Sequence, residues 1–140
     1  MGLTYYPKQG EILLCDYDTG FILPEMTKIR PVVVISPRLR RRAELVGVVP
    51  LSTTEPAQMD GHHCRIELER PLPYPFNSPV MWGKCDMLAT IAKSRLDRFK
   101  GARKGGARVY TSGQLSAEQF KALQAATLFG IGLGSLTIYL

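Results

Sequence analysis

The run Lys28-Ile29-Arg30-Pro31-Val32-Val33-Val34-Ile35-Ser36-Pro37 constrains the fold more than any other stretch of the chain. Four consecutive β-branched residues bounded by prolines read as a strand covered on both faces, because branched side chains pack well on a pleated surface. Neither Pro31 nor Pro37 can donate to a sheet ladder, so the two bound the strand. Pro31 also fixes its own φ and biases Arg30 toward an extended conformation. Arg30 therefore stands where a loop ends and a rigid strand begins. On these residues alone it is either a surface charge capping the core or a cation held in place for a ligand.

The rest of the chain supplies partners for that strand. Residues 10–17, GEILLCDY, predict a first strand, and 45–51, LVGVVPL, a later one ended by Ser52-Thr53-Thr54-Glu55-Pro56. From Asp16 to Ile29 runs a long loop around the apolar knot Phe21-Ile22-Leu23, and loops of about a dozen residues in compact domains often serve as lids. Arg38 to Arg42 predict a charged hairpin or loop. Residues 63–68 alternate, with Cys64, Ile66 and Leu68 on one face. The prolines of 70–80 exclude a central strand there. VMWGKCDML, residues 80–88, predicts a strand with Gly83 at a bulge or a close approach. Ser94 to Phe99 fit one or two helical turns with Ser94 as N-cap. Residues 100–113 interleave glycines with cations, as a mobile loop or hairpin. The clearest helix starts at Ser116, with Gln119 completing a capping box and Phe120, Leu123 and Thr127 or Leu128 at helical spacing. Residues 135–140, SLTIYL, predict a short terminal strand. Several strands followed by a helix indicate a small α+β domain, a curved antiparallel sheet or barrel that takes up residues 1–140 as one unit.

Charge narrows the class of partner. The formal net charge is +6, and residues 93–108 hold seven cations against the single acid Asp97, which accounts for the whole excess. Such a patch suits a polyanion or an acidic protein, and equally a solvated basic loop. Cys15, Cys64 and Cys85 are odd in number and form no C-x-x-C pair, which suggests reduced thiols and a cytoplasmic location. The N-terminus lacks the pattern of a signal peptide, and the weakly polar 125–140 stretch is short for a membrane span and broken by glycines.

The common catalytic motifs are missing: there is no P-loop, G-x-G-x-x-G, H-E-x-x-H or G-x-S-x-G. His62, His63 and Cys64 with Cys85 and Asp86 offer metal-competent atoms. Neighbouring strand residues point to opposite faces, however, so no metal site and no cofactor are expected. The two histidines read as exposed strand-edge residues or as acid–base groups directed at a phosphate. What remains is Arg30 at a strand start, the hydroxyls of Ser52, Thr53 and Thr54 at a strand end, a lid-like loop and a basic surface. Those pieces suit phosphodiester chemistry on RNA, where the substrate's own 2′-hydroxyl is the nucleophile and the protein has only to orient the phosphate and stabilise its added charge. The hydroxyl cluster equally suits a polar turn.

The order GEILLCDY, loop, KIRPVVVISP, LVGVVPLSTTEP, VMWGKCDMLATI, SRLDRF and a final LSAEQFKAL helix resembles the PemK/MazF toxins of bacterial type II toxin–antitoxin systems. RPVVVIS and VVPLSTT at their mutual distance are the most specific pieces, and the resemblance runs from about residue 9 to about 130. It implies a compact SH3-like β-barrel with a C-terminal helix, a homodimer, and a metal-independent endoribonuclease that cuts single-stranded RNA and is neutralised by a cognate acidic antitoxin. The family's catalytic arginine falls on Arg30 and its hydroxyl residue on Ser52 or Thr53. RNA contacts fall on Lys28, Thr54, Asp86 and Met87, with Met87 standing where many relatives carry a glutamine. Two other classes compete: a poison of DNA gyrase on the same barrel, acting through the C-terminal helix, and a basic barrel that binds nucleic acid without cutting it.

Overall fold

The computed structural model describes residues 2–140. Strand β1 (Glu11–Asp16) pairs antiparallel with β2 (Ile29–Val34), and β2 with β3 (Leu45–Ser52). Next come β4 (His63–Glu67), β5 (Val80–Lys84), β6 (Ala89–Ala92) and β7 (Leu96–Asp97). A hairpin of β8 (Phe99–Lys104) and β9 (Ala107–Thr111) follows, then β10 (Gly113–Gln114) and the helix α1 (Ala117–Gly130). The main sheet runs β10-β1-β2-β3-β5-β4, with β6 also on β3 and β7 on β1. It is a mostly antiparallel, curved sheet with one C-terminal helix, and its strand order does not close on itself.

The absence of alternation in Val32-Val33-Val34 follows from two apolar layers, one on each side of β2. Val33 joins Ile12, Val49 and Leu51 under α1. Val32 and Val34 join Leu13, Cys15, Val46 and Val48 on the other side. All three valines are fully buried, and each such side chain contributes about 1.5–3 kcal/mol through loss of water contact. A strand covered on both faces has no polar face to show.

β3 belongs to two ladders in succession. Its first half pairs with β6, from Leu45↔Ala92 to Val48↔Ala89, while its far end pairs with β5 through Leu51↔Gly83 and Ser52↔Trp82. The chain must therefore turn between β5 and β6, and Cys85–Met87 form a 3-10 turn there. This corrects the single strand expected over 80–88. Gly83 is a close approach and not a bulge: the β4–β5 register is unbroken, and a Cβ at Gly83 would lie 3.1 Å from Leu123 Cδ1 of α1.

Two other expectations change. Residues 94–99 do not form a helix capped by Ser94; Lys93–Arg95 make a 3-10 turn with no side-chain cap, and Leu96 enters β7. Pairing with Cys15 and burial of Leu96 outweigh the local capping signal. Residues 134–139 form a 3-10 helix where a terminal strand was expected. Its backbone bonds are local, Leu136 N–H to Leu133 and Leu140 N–H to Thr137, and Thr137 Oγ1 donates to Gly134. The capping box of α1 is formed in full: Gln119 N–H donates to Ser116 Oγ at 3.1 Å, and Ser116 N–H to Gln119 Oε1 at 2.9 Å. The 100–113 segment is a hairpin turned by Gly105 and Gly106, both at positive φ. Among the described residues no helix is long and apolar enough to cross a membrane.

Candidate functional site

The β2–β3 ladder stops at Val32↔Pro50 for a reason readable in its hydrogen bonds. Ile35 N–H donates to Gly47 at 2.9 Å, and antiparallel bonding alternates along a strand, so odd-numbered residues of β2 donate toward β3. The next donor in that series is Pro31, which has no N–H. Beyond that pair β3 runs on to Ser52 with β5 along the edge opposite β2. The strand ends past the last pair, one from β2 and one from β3, make up a fork. Continuing the register two residues past Val32↔Pro50 would set Ser52 opposite Arg30, so the two residues tip the prongs on the same face of the sheet.

Each prong is fixed. Arg30 is half-buried and pairs with Cys15 across the β1–β2 ladder. Its Nε donates to the Thr27 carbonyl at 3.2 Å, which orients the guanidinium; among the described residues its other donors make no hydrogen bond. Burial pushes the Cys15 thiol up to about 12, so the group beneath Arg30 is neutral. Ser52 is buried, and its Oγ accepts the Thr54 N–H at 3.1 Å. A hydroxyl accepting that bond keeps its own proton for a ligand. Thr53 and Thr54 are exposed beside it, and Lys28 is exposed at φ 71° one turn before Arg30. An arginine fork and a hydroxyl donor on facing prongs can hold a phosphodiester between them.

The structure does not bring Asp86 to this fork. Asp86 is exposed in the 3-10 turn, its Oδ2 3.8 Å from His62 Nε2 and its backbone against Gly130 of α1. Met87 packs on the apolar layer that underlies Arg30. His62 and His63 face each other with ring centroids 4.2 Å apart. Strand alternation does not separate them, because β4 begins only at His63.

Residues that the sequence reading passed over also border the fork. Trp82 pairs with Ser52 on one side and Arg65 on the other, so Ser52, Trp82 and Arg65 form a row across β3, β5 and β4. Arg65 alternates with the buried Cys64 and Ile66, a pattern that already put it on the outer face; only the register gives it a place in the row. Arg95 pins the base of the 16–28 loop, donating to the carbonyls of Asp16 at 2.9 Å and Thr19 at 2.6 Å with its guanidinium over the Phe21 ring. Phe21 thus turns inward, while Ile22 and Leu23 are exposed at the loop tip. A cleft of about 470 Å³ between Leu14, Ile29, Tyr74 and Arg98 opens on the opposite face of β1 and β2 and includes neither Arg30 nor Ser52.

Residues 8–127 match the family model of the PemK-like, MazF-like toxins of type II toxin–antitoxin systems. The Escherichia coli K12 protein YifN is 30% identical over 122 residues, spanning 74% of this chain and 80% of its own. A mycobacterial endoribonuclease superposes with a TM-score of 0.60 at 18% identity, covering 92% of this chain and 94% of the other. A mycobacterial endoribonuclease in complex with its cognate antitoxin gives 0.60 at 20% identity, over 91% and 96%. At these identities the two solved structures establish the shared fold.

Proposed function

Because the chain belongs to the PemK-like, MazF-like toxin family of type II toxin–antitoxin systems, we propose that it is the toxin of such a pair and an endoribonuclease acting on single-stranded RNA. The observation that carries this reading is the β2–β3 register, which, continued past Val32↔Pro50, sets Ser52 opposite Arg30 on one face of the sheet. Arg30 grips the non-bridging oxygens of the scissile phosphate and offsets the charge that builds on them as a fifth oxygen approaches phosphorus. Ser52 Oγ donates to the same oxygens, and Thr53 gives a second hydroxyl at the rim. The 2′-hydroxyl attacks phosphorus, the P–O5′ bond breaks, and the proton lost by the 2′-oxygen is balanced by one gained at O5′. The products are a 2′,3′-cyclic phosphate and a 5′-hydroxyl. Because the substrate supplies the nucleophile, this step requires no metal-activated water.

Lys28 and Thr54 flank the path of the strand, and Met87 lies on the layer beneath Arg30. The exposed Lys100, Arg103, Lys104 and Arg108 of the β8–β9 hairpin attract the polyanion at longer range. In this reading a homodimer is the functional unit, and an acidic antitoxin neutralises the same basic surface.

The test is purified protein incubated with single-stranded RNA in EDTA, with the product ends mapped. Cleavage leaving 2′,3′-cyclic phosphate, abolished by Arg30→Ala, is the expected result. Intact RNA bound with a steep salt dependence would instead assign the chain to non-cleaving nucleic-acid binders.

A further inference from the structure

Behind the fork, where the β3–β4 loop meets the end of α1, a second group of side chains converges that the RNA chemistry does not use. One nitrogen each of His62 and His63 and a carboxylate oxygen of Asp60 lie within 4.8 Å of one another. A fourth donor, the second oxygen, adjoins them: Asp86 Oδ2 at 3.8 Å from His62 Nε2. That separation is too long for a hydrogen bond and close to the spacing of two ligands on one tetrahedral ion with bonds of about 2.1 Å.

We propose that Asp60, His62, His63 and Asp86 bind a divalent transition metal, with zinc the best match to two imidazoles and two carboxylates. His63 Nδ1 accepts the Asp60 N–H at 3.0 Å, so its lone pair already faces the Asp60 side of the cluster. The metal takes that lone pair in place of the N–H. The sulfurs next to the cluster in sequence are excluded from it: Cys64 and Cys85 are both buried in the apolar layer under α1. The donor set is therefore nitrogen and oxygen only.

The backbone around the cluster is clamped. A Cβ at Gly130 would lie 3.2 Å from Asp86 Cα and 3.3 Å from His62 Cβ, and one at Gly61 would fall 2.6 Å from the Phe129 ring. Glycine at both places lets α1 close onto the loop and the 3-10 turn, bringing donors from the two segments together. A bound ion cross-links the β3–β4 loop to the turn that carries Asp86 and Met87.

The full-length protein, stripped with EDTA and desalted, is titrated with ZnCl2 by calorimetry and with CoCl2 by visible absorption. The expected result is one equivalent bound, a rise in Tm at saturating zinc, and cobalt bands of low coordination number without a thiolate charge-transfer band. His62→Gln, His63→Gln and Asp86→Asn should each weaken zinc binding at least tenfold, with unchanged circular dichroism. Should a histidine variant fail to fold, Asp60→Asn at an exposed position decides the matter by the same tenfold criterion. The proposal is overturned by no saturable binding to the parent protein, by an affinity that these substitutions leave unchanged, or by a thiolate band.

Discussion

Arg30 and Cys15 face one another across the β1–β2 ladder, so the cation proposed to hold the phosphate sits over a thiol that burial keeps neutral. One N–H group of Arg30 is spent on the Thr27 carbonyl, which fixes the guanidinium. Arg30→Ala should therefore lower RNA cleavage in EDTA by about 10²-fold or more, the scale of removing one fixed donor from a developing oxyanion. Arg30→Lys should recover only part of this, since an ammonium lacks the planar fork. Single-turnover cleavage of an end-mapped oligonucleotide, alongside urea unfolding, separates lost chemistry from lost fold.

Ser52 and Thr53 are neighbours with different surroundings. Ser52 is buried and braced by the Thr54 N–H, whereas Thr53 is exposed. Ser52→Ala should reduce cleavage more than Thr53→Ala, by about an order of magnitude, and should cost about 1 kcal/mol of stability through the lost turn bond. Equal effects in the two variants would remove Ser52 from the role given to it.

Gly83 and Leu123 share one contact between β5 and α1. Gly83→Ala should destabilise by about 1–3 kcal/mol through overpacking, and Leu123→Ala by about 2–5 kcal/mol through the cavity left. The double variant should cost less than the two singles together, because the new methyl fills the space that Leu123 vacates. Urea unfolding of the four proteins forms a cycle that measures this coupling.

Burial pushes the thiols of Cys15 and Cys85 from 9.0 up to about 12. Both stay protonated in the folded chain at a pH where the unfolded chain has released them. The resulting stability is complete below about pH 9 and is lost as the pH rises toward 12. Unfolding in urea should show a lower midpoint at about pH 10.5 than at about pH 8, and Cys15→Ala should flatten that dependence. Native protein at neutral pH should also resist thiol reagents until it unfolds.

Much of the frame was legible in the chain because its signals are local. The valine run, the capping box at Ser116 and the turn glycines of the hairpin each act on neighbours in sequence. The box formed as read, and the hairpin was one of the two readings of 100–113; the strand differs at both ends, since β2 starts at Ile29, takes in Arg30 and Pro31, and stops at Val34 before Ile35. Gly83 was legible as a choice between bulge and close contact, which only α1 could decide. Ser94 misled because a capping residue says nothing about whether Leu96 will find Cys15 across the sheet. The single strand read into 80–88 broke because β3 changes partner, a fact recorded in no nearby residue. The candidate site divides in the same way. Arg30 and Ser52 could be picked out one by one, while the fork that joins them needed the ladder's bonding phase. The pairing of His62 with His63 was hidden by applying strand alternation one residue too early.

The two allegiances of β3 also bear on when the molecule becomes complete during synthesis. Arg30 and Ser52 are both made early, but the far end of β3 has no partner until Trp82 and Gly83 have been added, and its near end waits for Ala89–Ala92. A nascent chain ending near residue 70 therefore carries both proposed site residues without the strands that line the second edge of β3. On the ribosome, surrounded by RNA, β3 is flanked on both edges only after the stretch that carries β5 and β6 has emerged.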